Sequence, residues 1–315
     1  MEDYLHLEKS MPRFFYFLRG VRRKIRLKKY RSMSLSDIMR RDAALFEKQI
    51  GRTLDWHDLR SYNEKLQWEK IFNQNSLKTR LADKYLVREW VADKIGEEYL
   101  VPLLGVWDDA KEIDFDKLPE SFVLKTNCAS GDVIIVKNKS ELSAKDIVRI
   151  RCKLHFYLNY DWGYQTFERH YSDIRPRVIA EKLLPADDTD VPDYKFTCFD
   201  GKPFCCRVDI GRYHNHRRNT YDLQWKLQSW NAGLYNNTEY PFPKPRNFER
   251  MVELASVLAE GFPQVRIDFY NFEGKIYFGE VTFTSASGFE PIVPESMDYE
   301  LGEKWHADCL VPSGY

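Results

Sequence analysis

The sequence lacks most of the patterns that fix a function quickly. Its 6 cysteines show no C-x-x-C spacing, and Cys205 and Cys206 are adjacent, so neither a zinc framework nor a disulfide scaffold follows. No run of eighteen apolar residues exists and no signal peptide with a cleavage site is visible. A soluble protein of the reducing cytoplasm is the expectation. Charge of one sign is not in excess: Lys+Arg 48 stand against Asp+Glu 48, which gives no reason to expect nucleic acid as a partner. The GxxxxGK[ST] phosphate loop is missing, as is any Ser/His/Asp or Cys/His arrangement for nucleophilic catalysis. Residues 34–83 hold no proline, and residues 11–31 hold no acid.

What is present begins with size. At 315 residues and 43% hydrophobic content, the chain can bury one large core or two small ones. Residues 264–284 are the most informative stretch. They read as two strands around the turn Asn271-Phe272-Glu273-Gly274, rich in β-branched and aromatic residues, yet they carry Asp268 and Glu280. A carboxylate in an apolar sheet is costly unless it is paired or binds a cation. Arg266 could neutralise one of them. Two acids beside a small polar run also suit Mg²⁺, which is held by one or two carboxylates plus water and phosphate oxygens. The alternative is an edge hairpin with its acids in solvent. Side chains alternate along a strand, so the two acids share a face only if the loop has an odd number of residues or the pair contains a bulge.

Elsewhere the pattern is mixed. Residues 34–83 read as helical, with a start at Ser36-Asp37 or Asp42 and a capping box at Ser61-Tyr-Asn-Glu64. Strands are predicted at 121–126 and 133–137 around a small-residue loop, 127–132, whose N–H groups could cradle phosphate beside Lys125; a plain hairpin is the rival. Helices are predicted at 145–157, 167–171 and 247–261, the last capped by Asn247. Strands at 177–185, 193–199 and 202–209 follow, the last two joined by the Asp200-Gly201 turn. His214 and His216 lack a third ligand nearby, so the cluster 212–218 suits a carboxylate or phosphate better than a metal, with a solvated loop as the alternative. Residues 11–31 combine aromatics and cations, as does a segment lying on an anionic membrane surface; a solvated basic helix docked on the protein, or a nucleic-acid patch, are the alternatives.

Taken in order, Phe122-Val-Leu-Lys-Thr-Asn, Ser130-Gly131, Val178-Ile-Ala-Glu-Lys-Leu-Leu, Asp193-Tyr-Lys-Phe, Arg266-Ile-Asp-Phe-Tyr and Gly279-Glu-Val-Thr-Phe-Thr resemble the TupA-like ATP-grasp family. The resemblance runs from about residue 81 to residue 302. It implies an α+β fold, in which two α+β subdomains clasp a nucleotide, behind a helical N-terminal extension. The implied division is 1–80 as the basic helical extension, 81–120 as the first part of the catalytic unit, 121–180 as the lid, and 181–315 as the larger subdomain.

The resemblance also implies ligands and roles. ATP and Mg²⁺ are the cofactors. Lys84 and Lys125 match the two phosphate lysines, and Ser130-Gly131 matches the lid over the phosphates. Glu181, Lys182 and Leu184 match the adenine hinge, with Asp187 or Asp188 for the ribose. Asp268 and Glu280 match the metal acids, and Arg266 the arginine near the developing charge. Lys195 and Arg207 are further candidate catalytic cations. Where the superfamily often has asparagine, this chain has Thr282, a weaker neutral ligand. The usual N-terminal α/β domain is not visible. The implied reaction is carboxylate–amine ligation that releases ADP and phosphate, joining an amino acid or amine to a uronic-acid-type saccharide, small or lipid-linked, of a surface polysaccharide or capsule. The alternatives are a sugar kinase on the same fold, a glycosyltransferase, and a non-catalytic scaffold.

Overall fold

Apolar residues recurring every three or four positions build the N-terminal third into helices, and serine caps set where two of those helices begin. Helices span Pro12–Arg31, Leu35–Ile50, Tyr62–Phe72, Ser76–Ala82 and Val87–Ile95. Ser34 and Ser61 each form a reciprocal capping box, with Asp37 and Glu64. The Ser61 box is the expected one. The other start falls on Ser34, ahead of both expected positions, because Asp37 is better used as the third residue reaching back. Asp42 is buried mid-helix and ion-paired to Lys70 at 2.8 Å. The computed structural model describes residues 7–165, 167–184, 191–211, 216–233, 238 and 240–311.

Two antiparallel sheets follow. The first contains β1 (Leu103–Trp107), β2 (Phe122–Thr126), β3 (Ile134–Val136) and β4 (Val178–Lys182), in the order β1-β4-β2-β3. One face, with Phe122, Leu124, Val178 and Ala180, packs on Ile150 and Leu154 of the helix Ala144–Leu158. Period-two alternation sends Lys125 and Glu181 to the other face. The second sheet contains β5 (Asp193–Phe199), β6 (Lys202–Ile210), β7 (Arg217–Tyr221), β9 (Gln264–Phe272) and β10 (Lys275–Thr282), in the order β10-β9-β5-β6-β7. A short pair, β8 (Asn231–Ala232) and β11 (Ile292–Val293), lies apart from it.

Helix Phe248–Ala259 covers the apolar face of the second sheet, where Phe248, Met251, Leu254 and Leu258 meet Phe196, Val208, Ile267 and Phe269. Each such buried side chain is worth about 1.5–3 kcal/mol of transfer free energy. Asn247 does not cap this helix with its side chain. It donates instead to the Gly274 carbonyl at 2.7 Å and accepts from Asn271 at 2.5 Å, tying the helix to the β9–β10 turn. The helix expected at 167–171 reduces to a single tight turn, Arg169–Tyr171, because Phe167 stands at φ 62 and interrupts it. The C-terminal helix Glu295–Lys304 packs with Tyr62 and Leu66, so helix Tyr62–Phe72 is wedged between it and the rest of the chain.

Candidate active site

The other face of the second sheet is charged. Cross-strand register places Glu280 opposite Asp268, Asp268 opposite Lys195, Lys195 opposite Arg207, and Arg207 opposite Thr220. These residues form one row across five strands. On either side lie a row with Arg266, Thr197 and Cys205, and another with Asp193, Asp209 and Arg218. Asp268, Lys195, Asp193, Asp209, Arg218 and Arg266 are all buried. Single charges at such depth cost several kcal/mol each, so the face is held by mutual pairing.

The pairing is dense. Arg266 grips Asp268 with two bonds of 2.7 Å and reaches Glu280 with a third of 2.7 Å. Lys195 donates to Asp268 at 2.8 Å and also bonds Asp193. Burial alone would raise the Asp268 carboxyl, but the charges and hydrogen bonds of Arg266 and Lys195 outweigh it and hold it well below the usual carboxylate range. Arg207 donates to Glu290 at 2.9 Å, and Arg218 donates to Glu290 and to Asp209, each at 2.6 Å. Burial also opposes ionisation of Glu290 and Asp209, and the neighbouring arginines again reverse it.

The hairpin meets the facing condition through its bulge. The turn has two residues, Glu273 and Gly274, which alone would send the two acids to opposite sides. Between Phe278 and Glu280 the register slips by one, and Glu280 returns to the face of Asp268. Gly279 is the extra residue. A Cβ there would lie 3.0 Å from the Asp268 carbonyl oxygen, so the close approach of the strands selects glycine.

Other expected site residues lie on the first sheet and around it. Lys125 pairs with Glu181 at 2.6 Å, and Arg88 reaches the same carboxylate at 3.4 Å. Lys84 follows helix Ser76–Ala82, which packs against β10, and donates to the Ala129 carbonyl at 2.8 Å. Ser130 and Gly131 are exposed in the β2–β3 loop, with Gly131 at φ 76, where only glycine sits without strain. That loop is stapled by Asp132, which accepts from the Thr126 N–H and hydroxyl at 2.5 Å each. Lys182 ends β4 with its side chain exposed, and Leu184 is half-buried where the chain leaves the first sheet for the second. Asp187 and Asp188 lie outside the described residues, as does His214. His216 bonds Asp209 at 2.9 Å.

Tyr171 connects the two groups. Its ring packs with Ala82 and Cys128, beside Lys84 and the β2–β3 loop. Its hydroxyl is pushed far up, first by burial and then by Glu168, Glu280 and Asp268, so it remains neutral next to the acids. Tyr171, Asp193, Asp209 and Glu290 carry much of this site, and sequence reading did not single them out. Asp193 with Lys195, and Arg207 with Asp209, sit two apart on strands flanking the Asp200-Gly201 turn; that spacing puts each pair on one face of its own strand, and the register shift between Thr197 and Cys198 brings the two pairs to the same face.

The donor set fits a hard divalent cation. Asp268, Glu280 and Thr282 offer only oxygens, and the Thr282 hydroxyl lies 3.1 Å from Glu280. Among the described residues no group of three or more His, Cys, Asp or Glu could hold a metal without other ligands. Two acids completed by phosphate oxygens and water is the Mg²⁺ habit, as opposed to an all-protein cage. Arg266 Nη2 now bridges the two acids, so a metal between them requires that guanidinium to release at least one.

The family model for TupA-like ATP-grasp proteins matches residues 64–306, and the chain belongs to that family; its fold is the ATP-grasp fold. No curated protein matches. Among solved structures, D-alanine–D-alanine ligase from Bacillus anthracis complexed with ATP is similar at 19% identity and TM-score 0.34, over 64% of this chain and 53% of that one. D-alanyl-alanine synthetase A from Vibrio cholerae is similar at 14% identity and TM-score 0.39, over 73% of this chain and 62% of that one. D-cycloserine synthetase DcsG is similar at 15% identity and TM-score 0.36, over 73% of this chain and 71% of that one. The chain thus spans about half the length of the first of these.

Proposed function

We propose that the chain is an ATP- and Mg²⁺-dependent carboxylate–amine ligase, forming ADP. The observation that carries the reading is the row Glu280, Asp268, Lys195, Arg207 with Arg266 bridging the two acids. When bound, ATP with Mg²⁺ would supply the γ-phosphoryl group that converts the substrate carboxylate to an acyl phosphate, leaving ADP; attack of the amine on the acyl carbon would then expel inorganic phosphate and form the amide. The chain's own residues supply positioning and charge. Asp268 and Glu280 are the metal acids, with Thr282 beside them. Arg266 and Lys195 are the cations nearest the developing negative charge. Lys84, Lys125 and the Ser130-Gly131 loop take the phosphates, and Glu181, Lys182 and Leu184 line the hinge, with Asp187 or Asp188 at the ribose. Arg207 and Arg218 now hold the Glu290 carboxylate, a geometry that suits the carboxylate of an incoming substrate.

The division we infer is a lid at 121–180 and a larger unit at 181–315, with 1–80 as an added helical segment and 81–120 joining them. We assign the substrates to a surface polysaccharide: an amino acid joined to a uronic-acid-type sugar, free or carried by a lipid. Family membership supports that assignment. Work in the cytoplasm, at the inner face of a membrane, belongs to the same reading.

Incubation with ATP, Mg²⁺, pooled amino acids and uronic sugars, followed by product analysis, tests it. An amide with free phosphate is expected. A phospho-sugar without free phosphate would make the protein a kinase instead. Asp268→Asn is expected to abolish ADP formation; because it also takes one charged partner from each of buried Arg266 and Lys195, Glu280→Gln is the companion variant. The Glu280 side chain is 39% exposed, so its loss leaves the fold intact while removing a metal oxygen. Full turnover in both variants would sink the assignment.

A further inference from the structure

Helix Pro12–Arg31 has two opposed faces, and among the described residues only one of them is packed against the rest of the protein. Pro12, Phe15, Tyr16 and Tyr30 are buried. Phe15 and Tyr16 pack on Phe156 of helix Ala144–Leu158, Arg19 lies over the Phe156 ring at 4.6 Å, and Arg23 donates to the Phe156 carbonyl at 3.0 Å. Arg31 pairs with Asp161 at 3.1 Å. These contacts fix the helix against the body.

The outward face is apolar. Phe14, Leu18, Val21 and Ile25 succeed one another at spacings of four, three and four, so they stack in one stripe, with Phe17 beside it. All five are exposed, Phe17 at 65% and Ile25 at 69%. Scattered exposed apolar residues are ordinary on a protein surface, but a continuous stripe opposite the docked face is not. Helical geometry puts Arg22 and Lys29 along one flank of the stripe and Lys24 and Lys28 along the other. Those four form no ion pair among the described residues. The helix carries nine Lys and Arg and no acid.

From this pairing of an outward apolar stripe with cationic flanks, we infer that helix Pro12–Arg31 docks the protein on an anionic phospholipid bilayer. It lies in the interface, with Phe14, Phe17, Leu18, Val21 and Ile25 among the acyl chains and the flanking cations among the phosphates. The helix is about 30 Å long, but its charge forbids spanning; no helix of the described residues is long and apolar enough to cross a membrane. Neither contribution suffices alone: the stripe supplies insertion and the flanks supply attraction to negative headgroups. Charge complementarity selects the bilayer over a second copy of this chain, whose matching face would be equally cationic.

The inference needs no part of the ligase reading. The test uses the full chain with vesicles of phosphatidylcholine alone and of phosphatidylcholine mixed with phosphatidylglycerol, read by co-sedimentation without nucleotide. Binding to the mixed vesicles and little to the neutral ones is expected. Phe17→Ser with Ile25→Ser is expected to weaken that binding at least about tenfold. Arg22→Gln, Lys28→Gln and Lys29→Gln are expected to weaken it about fivefold per cation removed. These side chains are exposed, and an unchanged melting temperature checks that the variants fold.

Failure of the wild type to bind the mixed vesicles overturns the inference. So does binding that depends on the cations but not on Phe17 and Ile25, which would point to a polyanion such as nucleic acid. A wild-type dimer that Phe17→Ser with Ile25→Ser dissociates, with vesicles unbound, would assign the stripe to a second copy. Vesicle binding without ADP formation would remove the ligase reading alone, and the reverse result the membrane alone.

Discussion

Single side chains in this protein are governed by what surrounds them in space, and His170 shows how far that reaches. Its ring is buried between Tyr171, at 4.3 Å, and Phe283, at 6.1 Å, and its Nε2 meets no hydrogen-bond partner among the described residues. Burial, and after it the charge of Lys78, push its pKa from 6.5 down to about 3. The folded state therefore keeps it neutral while the unfolded chain takes up a proton below the ordinary value. Stability is full above that value and falls as pH drops toward about 3, by up to about 1.4 kcal/mol per pH unit. His170→Phe keeps the ring and removes the proton site. It is expected to cancel about 2 kcal/mol of the wild type's loss between about pH 7 and pH 5, measured by urea denaturation at each pH. A loss of the same size in the variant would mean that other groups carry the acid sensitivity. Residue-level legibility divides in the same way. Asp268 and Glu280 were visible as acids inside strand-forming runs, and Lys195 and Arg207 through the resemblance, whereas the shared face of Glu280 and of Arg207 depends on register shifts in the two hairpins. Glu290 was not visible. It reaches Arg207 from 83 residues away, through a loop whose sequence gives no period to read.

At the scale of elements, local chemistry predicted more than it missed. The Ser61 capping box, the β2–β3 hairpin and helix Phe248–Ala259 follow from caps, turn residues and periodicity. Phe167 is the counterexample, since its positive φ has no signal in its own side chain. The β9–β10 bulge is intermediate. Its necessity was legible, because a two-residue turn and a shared face are incompatible without it; its position was not, until Gly279 proved to be the residue without room for a side chain. Gly279→Ala forces a carbon to 3.0 Å from the Asp268 carbonyl oxygen and 3.4 Å from its Cβ. The strand must give by a few tenths of an ångström at the point where the two acids are set. Such overpacking costs about 1–3 kcal/mol. The expected outcome is a modest drop in melting temperature with a disproportionate loss of ADP formation, because Asp268 itself is displaced. Activity that falls only as far as the folded fraction falls would show that the bulge serves stability alone.

At the scale of the whole molecule, the charged face resembles a site with every cation already engaged. Arg266 bridges Asp268 and Glu280, Lys195 lies between Asp193 and Asp268, Lys125 holds Glu181, and the Arg207 and Arg218 forks share Glu290. On the proposed assignment, a triphosphate and a metal entering here would exchange partners: phosphate oxygens for carboxylates at the cations, and the metal for Arg266 at the acids. Charge is thus redistributed and little new charge is buried, which keeps the cost below that of placing an isolated ion in the interior. Such a site is expected to bind nucleotide and metal together better than either alone. Thermal unfolding tests that coupling directly, since a ligand that binds only the folded state at a hundred times its dissociation constant stabilises by about 2.7 kcal/mol. ATP with Mg²⁺ is expected to raise the melting temperature more than ATP with a chelator, and more than a UDP-sugar with Mg²⁺. In Glu280→Gln the Mg²⁺-dependent part of the shift should shrink while the part due to ATP alone persists, because the lysines on the first sheet are untouched. A larger shift with the UDP-sugar would favour a glycosyltransferase, and a shift indifferent to Mg²⁺ would mean that Arg266 never yields its place between the two acids.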